Sequence, residues 1–165
     1  MAFDAARKQL IMAGGGGGDT NTWAWTGTTW VNKGASPLPA NAGFAMAYDP
    51  TRAVVVAVGS ATYEWNGTAW ATAATTISNR VNTAGAYDTA RKQLVVFGGY
   101  LNVTPFGYLS DTQLRTGTAW AAAPAWTEPS ARYRAAAGYD PMRKKVVVFG
   151  GQTSCSYCGS GFLAD

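Results

Sequence analysis

The chain has 165 residues, of which 13% are charged, with 20 Gly, 7 Trp and a formal net charge of +4. That length suits one domain with a real core, and the low charge with abundant Gly and Trp suits short strands joined by turns. The positive charge is too mild to mark a nucleic-acid binder, no run of eighteen apolar residues is present to span a membrane, and the lack of His removes His-based triads and the commonest metal ligand.

One unit recurs four times along the chain. An aromatic precedes Asp (Phe3-Asp4, Tyr48-Asp49, Tyr87-Asp88, Tyr139-Asp140), Arg follows three residues later (Arg7, Arg52, Arg91, Arg143), and Gly stands ten after the Asp (Gly14, Gly59, Gly98, Gly150). Repetition of this kind decides architecture before any single residue does. The units span approximately 1–34, 42–73, 83–123 and 134–165, with the last incomplete, and together they make one domain.

Each unit reads as strands a to d. Strand a ends at the Asp and is crowded with Ala and Gly, which suits strands lying close together near an axis. A tight turn such as Asp49-Pro50-Thr51-Arg52 leads to strand b. Strand b is a continuous apolar run (Leu10 to Met12, Val54 to Val58, Leu94 to Phe97, Val146 to Phe149), the pattern of a strand buried on both faces. Strand c alternates, with Trp23 and Trp25, or Tyr63 and Trp65, on one face; the third copy has Gln113 and Arg115 instead. A turn at Thr26-Gly27, Asn66-Gly67 or Thr116-Gly117 follows, then strand d with Trp30, Trp70 or Trp120. The Asp-to-Asp spacings of 45, 39 and 52 differ because the b-to-c and d-to-a loops differ in length.

This pattern resembles the Kelch repeat, most closely the degenerate Kelch repeats of large bacterial proteins, in which Trp-x-Trp-x-Gly-Thr-x-Trp is common. Here that motif stands as Trp23-Ala24-Trp25-Thr26-Gly27-Thr28-Thr29-Trp30. The resemblance covers the whole chain; it departs at Gly59-Ser60 and at the missing aromatics of the third strand c. It implies an all-β fold, a β-propeller of four-stranded antiparallel blades. The ring is expected to be incomplete, with three blades plus the first two strands of a fourth. The stretch Phe162-Leu163-Ala164-Asp165 matches Tyr108-Leu109-Ser110-Asp111, which puts it at the start of a fourth strand c. Two readings follow: this is part of a longer propeller chain, or a part-propeller that closes by homo-oligomerisation. Two copies bring seven blades' worth of strands, but with surplus a–b pairs and no surplus c–d pair.

Strand direction alternates through a blade, so b-to-c and d-to-a loops share one face, the usual seat of binding on a rigid scaffold. Candidates there are Tyr100, Phe106, Tyr108, Tyr157 and Phe162, to stack on a sugar or anchor a peptide, against plain packing over the blade tops. Arg132 and Arg134, just before a strand a, are candidates for holding a carboxylate, against plain solvent exposure. The other face collects Arg7, Lys8, Arg52, Arg91, Lys92, Arg143, Lys144 and Lys145. The favoured reading is structural, each recurrent Arg bracing its Asp across the turn. Cys155 and Cys158 lack a second ligand pair for a metal, and a loop-tightening disulfide is the leading reading, with free thiols next. Asn66-Gly67-Thr68 and Asn102-Val103-Thr104 fit the glycosylation pattern, although Asn66 is needed in its turn.

Kelch propellers share a fold and differ in function; most are binding platforms and a few carry enzymes. The expectation is therefore a non-catalytic binding or scaffold module, without cofactor, for a protein or glycan partner, at the cell envelope or outside a bacterial cell. No signal peptide precedes the first repeat in this sequence, Met1 to Asp4 lying inside it. The enzyme alternatives resemble copper oxidases, which need His, and sialidases, for which only Glu64 and Glu128 could serve as glutamates.

Overall fold

In a computed structural model, residues 1–14, 18–40, 42–77, 79–124 and 128–153 are described. Tyr157, Phe162, Cys155, Cys158 and the expected start of a fourth strand c lie outside them. Every regular element among the described residues is a strand. The first blade is β1 (Ala2–Asp4), β2 (Gln9–Ala13), β3 (Asn21–Trp25) and β4 (Trp30–Ala35). The second is β5 (Ala45–Asp49), β6 (Val54–Val58), β7 (Thr62–Trp65) and β8 (Trp70–Thr72). The third adds a short β9 (Arg80–Val81) to β10 (Ala84–Asp88), β11 (Gln93–Leu101), β12 (Gly107–Thr116) and β13 (Ala119–Ala122), and the fourth contributes β14 (Ala136–Asp140) and β15 (Lys145–Phe149). Within each blade the strands pair antiparallel in sequence order, except that the short β9 adds to β11, so the fold is an incomplete propeller.

The innermost strands pack in succession, β1 on β5, β5 on β10 and β10 on β14. Their small residues make this possible. A Cβ placed on Gly85 of β10 would lie 2.8 Å from the Cβ of Ala45 on β5, inside any normal contact. The second strand of each blade then faces two neighbours at once. Ile11 and Ala13 pack toward Val55, Ala57 and Trp65 of the second blade. Val56 and Val58, on the other side of the same strand, pack toward Leu94 and Val96 of the third. A strand between two blades has no solvent face, which is why its sequence does not alternate.

The a-to-b turns explain the recurrent Asp, Arg and aromatic together. Asp4, Asp88 and Asp140 each accept the backbone N–H of the Arg three residues on and pair with its guanidinium at 2.8 Å. The residue after each Arg (Lys8, Ala53, Lys92, Lys144) has φ between 53° and 56°, the left-handed position that closes the turn. Arg7 and Arg91 then reach the next blade, donating to Ala53 O at 3.1 Å and Lys144 O at 2.9 Å. The tyrosine reaches the opposite way: Tyr48 Oη accepts Ala6 N–H and Tyr139 Oη accepts Ala90 N–H, each at 3.2 Å.

Arg52 departs from the expected Asp bracing. Its backbone N–H still bonds Asp49, but its guanidinium grips Glu64 on both oxygens at 2.6 Å. Of the three units that supply that place in strand c, only the second has an acid; the other two have Ala24 and Leu114. A fork-to-fork pair with Glu64 outcompetes the single bond the other arginines make to Asp. Arg115, which replaces the strand-c Trp in the third blade, meets the same Glu64 at 2.5 Å with a side chain 1% exposed. The replacement of Trp by Arg in one blade is thus answered by a carboxylate in its neighbour.

Candidate functional site: the β11–β12 hairpin

The stretch from Tyr100 to Ser110, expected as a loop, is mostly strand. The pairing of β11 with β12 continues past Gly98 and Gly99 to Leu101↔Gly107, after a register shift between Phe97 and Gly99. The two glycines make that shift, with φ of 62° and 106°. Backbone from the neighbouring loops presses close there: a Cβ on Gly98 would lie 2.5 Å from Arg132 O. The base is tied down on both sides, because Gly99 N–H donates to Arg132 O at 2.9 Å and β9 pairs with Tyr100 and Leu101.

The hairpin carries an aromatic ladder. Tyr100 and Tyr108 are cross-strand partners with ring centroids 5.2 Å apart. Phe106 stacks on Tyr100 at 6.3 Å and an interplanar angle of 10°, and Tyr108 meets Tyr133 at 5.2 Å. Arg134, exposed, closes the row with its guanidinium 5.3 Å from the Tyr133 ring. Its φ is 59°, and its N–H is held by Asn82 O at 2.8 Å. The tyrosines are half-buried, whereas Phe106 at the tip is 63% exposed and Val103 beside it is also open. The row joins four of the sequence candidates, Tyr100, Phe106, Tyr108 and Arg134, with Tyr133, which sequence reasoning passed over although it lies between Arg132 and Arg134.

The two arginine candidates part company. Arg132 is buried and donates to Gly150 O at 3.1 Å and to Ser130 O and Oγ at 3.1 Å. Arg80 does the same one blade earlier, donating to Gly98 O at 3.2 Å and pairing with Asp111 at 2.9 Å. Both stand eight residues before their blade's Asp, a spacing visible in the sequence, and both tie the d-to-a loop to the Gly pair ending strand b. Arg132 is therefore part of the frame, and Arg134 is the arginine presented outward. Burial alone would raise the Asp111 carboxyl, but Arg80, Gln113 and the charge of Arg80 outweigh it and hold it below the usual carboxylate range.

On the opposite face, Arg7, Arg91 and Arg143 are engaged with their aspartates, as the turn reading expected. The Asp residues are turn acceptors there. Trp70 donates its indole N–H to Thr22 Oγ1 at 2.7 Å across the first blade joint, Trp30 pairs with Trp25 and Trp120 lies under Arg115. Among the described residues no three His, Cys, Asp or Glu side chains gather as a metal site, and no helix is long and apolar enough to cross a membrane.

No protein-family model and no curated protein matches the chain. The fold resembles that of YjhT. Superposition on that structure gives a TM-score of 0.66 at 14% identity, covering 89% of this chain and 48% of the YjhT chain. The chain thus spans about half the length of that neighbour.

Proposed function

We propose that this is a Kelch-type propeller segment serving as a non-catalytic binding or scaffold module, with the β11–β12 hairpin turned toward its partner. The Kelch reading draws support from the turns, where the Asp, the Arg and the aromatic of the repeat each make a recurring bond. The observation that carries the binding reading is the row Phe106, Tyr100, Tyr108, Tyr133 and Arg134 on a rigid, strand-based projection. Tyrosine and arginine are the residues that most often dominate recognition energies, and here they are held in place by strand pairing. The exposed Val103 and Phe106 at the tip favour a protein surface over a sugar, because they add apolar contact without hydrogen-bonding groups. The non-catalytic reading is supported by the carboxylates: Glu64 is gripped by two arginines and Glu128 accepts the N–H of Thr112.

Phe106→Ala and Tyr100→Ala chains, compared with the parent on a glycan array and in a cross-linking capture, test the face. Loss of a saturable partner in either format with an unchanged melting temperature is the expected result. Binding that survives both substitutions would remove the hairpin from the account.

A further inference from the structure

Each blade of this chain presents two kinds of face, and the repeat makes them comparable. The residues seven and nine after the Asp point forward to the next blade; those six and eight after it point back to the preceding one. The forward pair is Ile11/Ala13, then Val56/Val58, Val95/Phe97 and Val147/Phe149. Val56 and Val58 are at most 1% exposed, whereas Val147 and Phe149 are 55% and 61% exposed. Ala136, Gly138, Val147 and Phe149 line an open concavity of about 320 Å³ on that side. The backward pair of the first blade, Leu10 and Met12, is half-buried, while its counterparts Val55/Ala57 and Leu94/Val96 are buried. Phe3, Trp25 and Trp30 extend this second apolar face, Phe3 and Trp30 being exposed. Among the described residues, one chain therefore carries both halves of a blade joint, each at least partly uncovered.

We propose that these two faces join head to tail between two copies of this chain, the forward face of the fourth blade seating on the backward face of the first blade of the second copy. The internal joints show the packing: Val56 and Val58 meet Leu94 and Val96, and by the same register Val147 and Phe149 meet Leu10 and Met12. The polar clip continues too. Arg7 and Arg91 cross to the carbonyls of Ala53 and Lys144; Arg143, 78% exposed, has the same reach to the carbonyl of Lys8 of the second copy. Such a contact is heterologous, and it closes only if the blade rotations sum to a ring. Each chain supplies four a–b hairpins, and two copies bring eight, within the range of known propellers. The joint lies between inner hairpins, so the surplus of a–b pairs does not hinder it. It lacks one internal feature: Phe3 stands where Tyr48 and Tyr139 supply a hydroxyl to the preceding turn. The dimer is accordingly expected to be reversible.

Sedimentation equilibrium of the 165-residue chain over a range of concentrations reads this directly. The expected species is about twice 17.3 kDa, dissociating on dilution. Phe149→Lys and Met12→Glu should each weaken it at least about tenfold, as loss of a buried apolar anchor does. Mixed in equal amounts, the two variants should dimerise again, because one joint is then wholly parental and the other pairs Lys with Glu. The mixture also serves as the folding control. A chain that is monomeric at every concentration, a dimer indifferent to both substitutions, or a mixture that stays monomeric would each overturn the joint.

Discussion

Changing Glu64 to Gln removes one negative charge from a site where two guanidinium groups meet. Arg115 has a side chain only 1% exposed, and its sole carboxylate among the described residues is Glu64 at 2.5 Å; Arg52 grips the same group at 2.6 Å. The amide keeps the shape and loses the charge, so a buried cation is left without compensation. Breaking a buried pair from one side costs about 3–5 kcal/mol. For a chain of this size that corresponds to a melting temperature lower by about 6–20 °C. The comparison variant is Arg115→Met. It leaves Glu64 in its fork with Arg52, which is part-exposed and tolerates the arrangement, so the loss should stay within about 1.5 kcal/mol. Urea denaturation followed by Trp fluorescence measures both. The reasoning fails if Glu64→Gln costs less than about 1 kcal/mol, or if Arg115→Met costs as much.

The same cluster makes stability depend on pH. Hydrogen bonds from Arg52 lower the Glu64 carboxyl, burial opposes them, and Arg115 lowers it further; Asp111 is also held low, Arg80 outweighing the effect of burial. A depressed carboxyl adds stability that is full above its unfolded value and is lost as pH falls through the folded one, so denaturation midpoints should be flat near neutrality and drop below about pH 4. Glu64→Gln should flatten part of that drop. Tyr139→Phe removes the hydroxyl that accepts Ala90 N–H across the third joint and should cost about 0.5–1.5 kcal/mol in a melting experiment. Gly85→Val forces a side chain against Ala45 where the inner strands touch, and calorimetry should find it destabilised by at least about 1–3 kcal/mol, far more than Val at exposed Gly138.

The pattern of apolar runs and tight turns determined the four recurring strands and their order without any coordinates, though not β9 or the extension of β11 and β12 into the long connection. A run such as Val54 to Val58 has to be covered on both sides, and alanine-rich first strands have to crowd together, so blades around an axis follow from local composition. The Asp of each turn was equally legible, because its role is met within four residues. What only the tertiary structure decided are the bonds between blades. Arg115 finds its acid only because strands 51 residues apart in the chain meet across a joint, and Arg52, 12 residues before Glu64 in the same blade, turns from Asp49 to that shared carboxylate. The candidate site divides in the same way. Tyr100 and Tyr108 were visible as aromatics in a long connection, but their stacking, and the inclusion of Tyr133, follow from strand pairing running on past Gly98–Gly99 and from where the next loop folds back. Residue spacing encodes what a short segment does with its own backbone; which side chains share a buried charge or a row of rings is set by how rigid sheets stack, and distance along the chain carries little record of that.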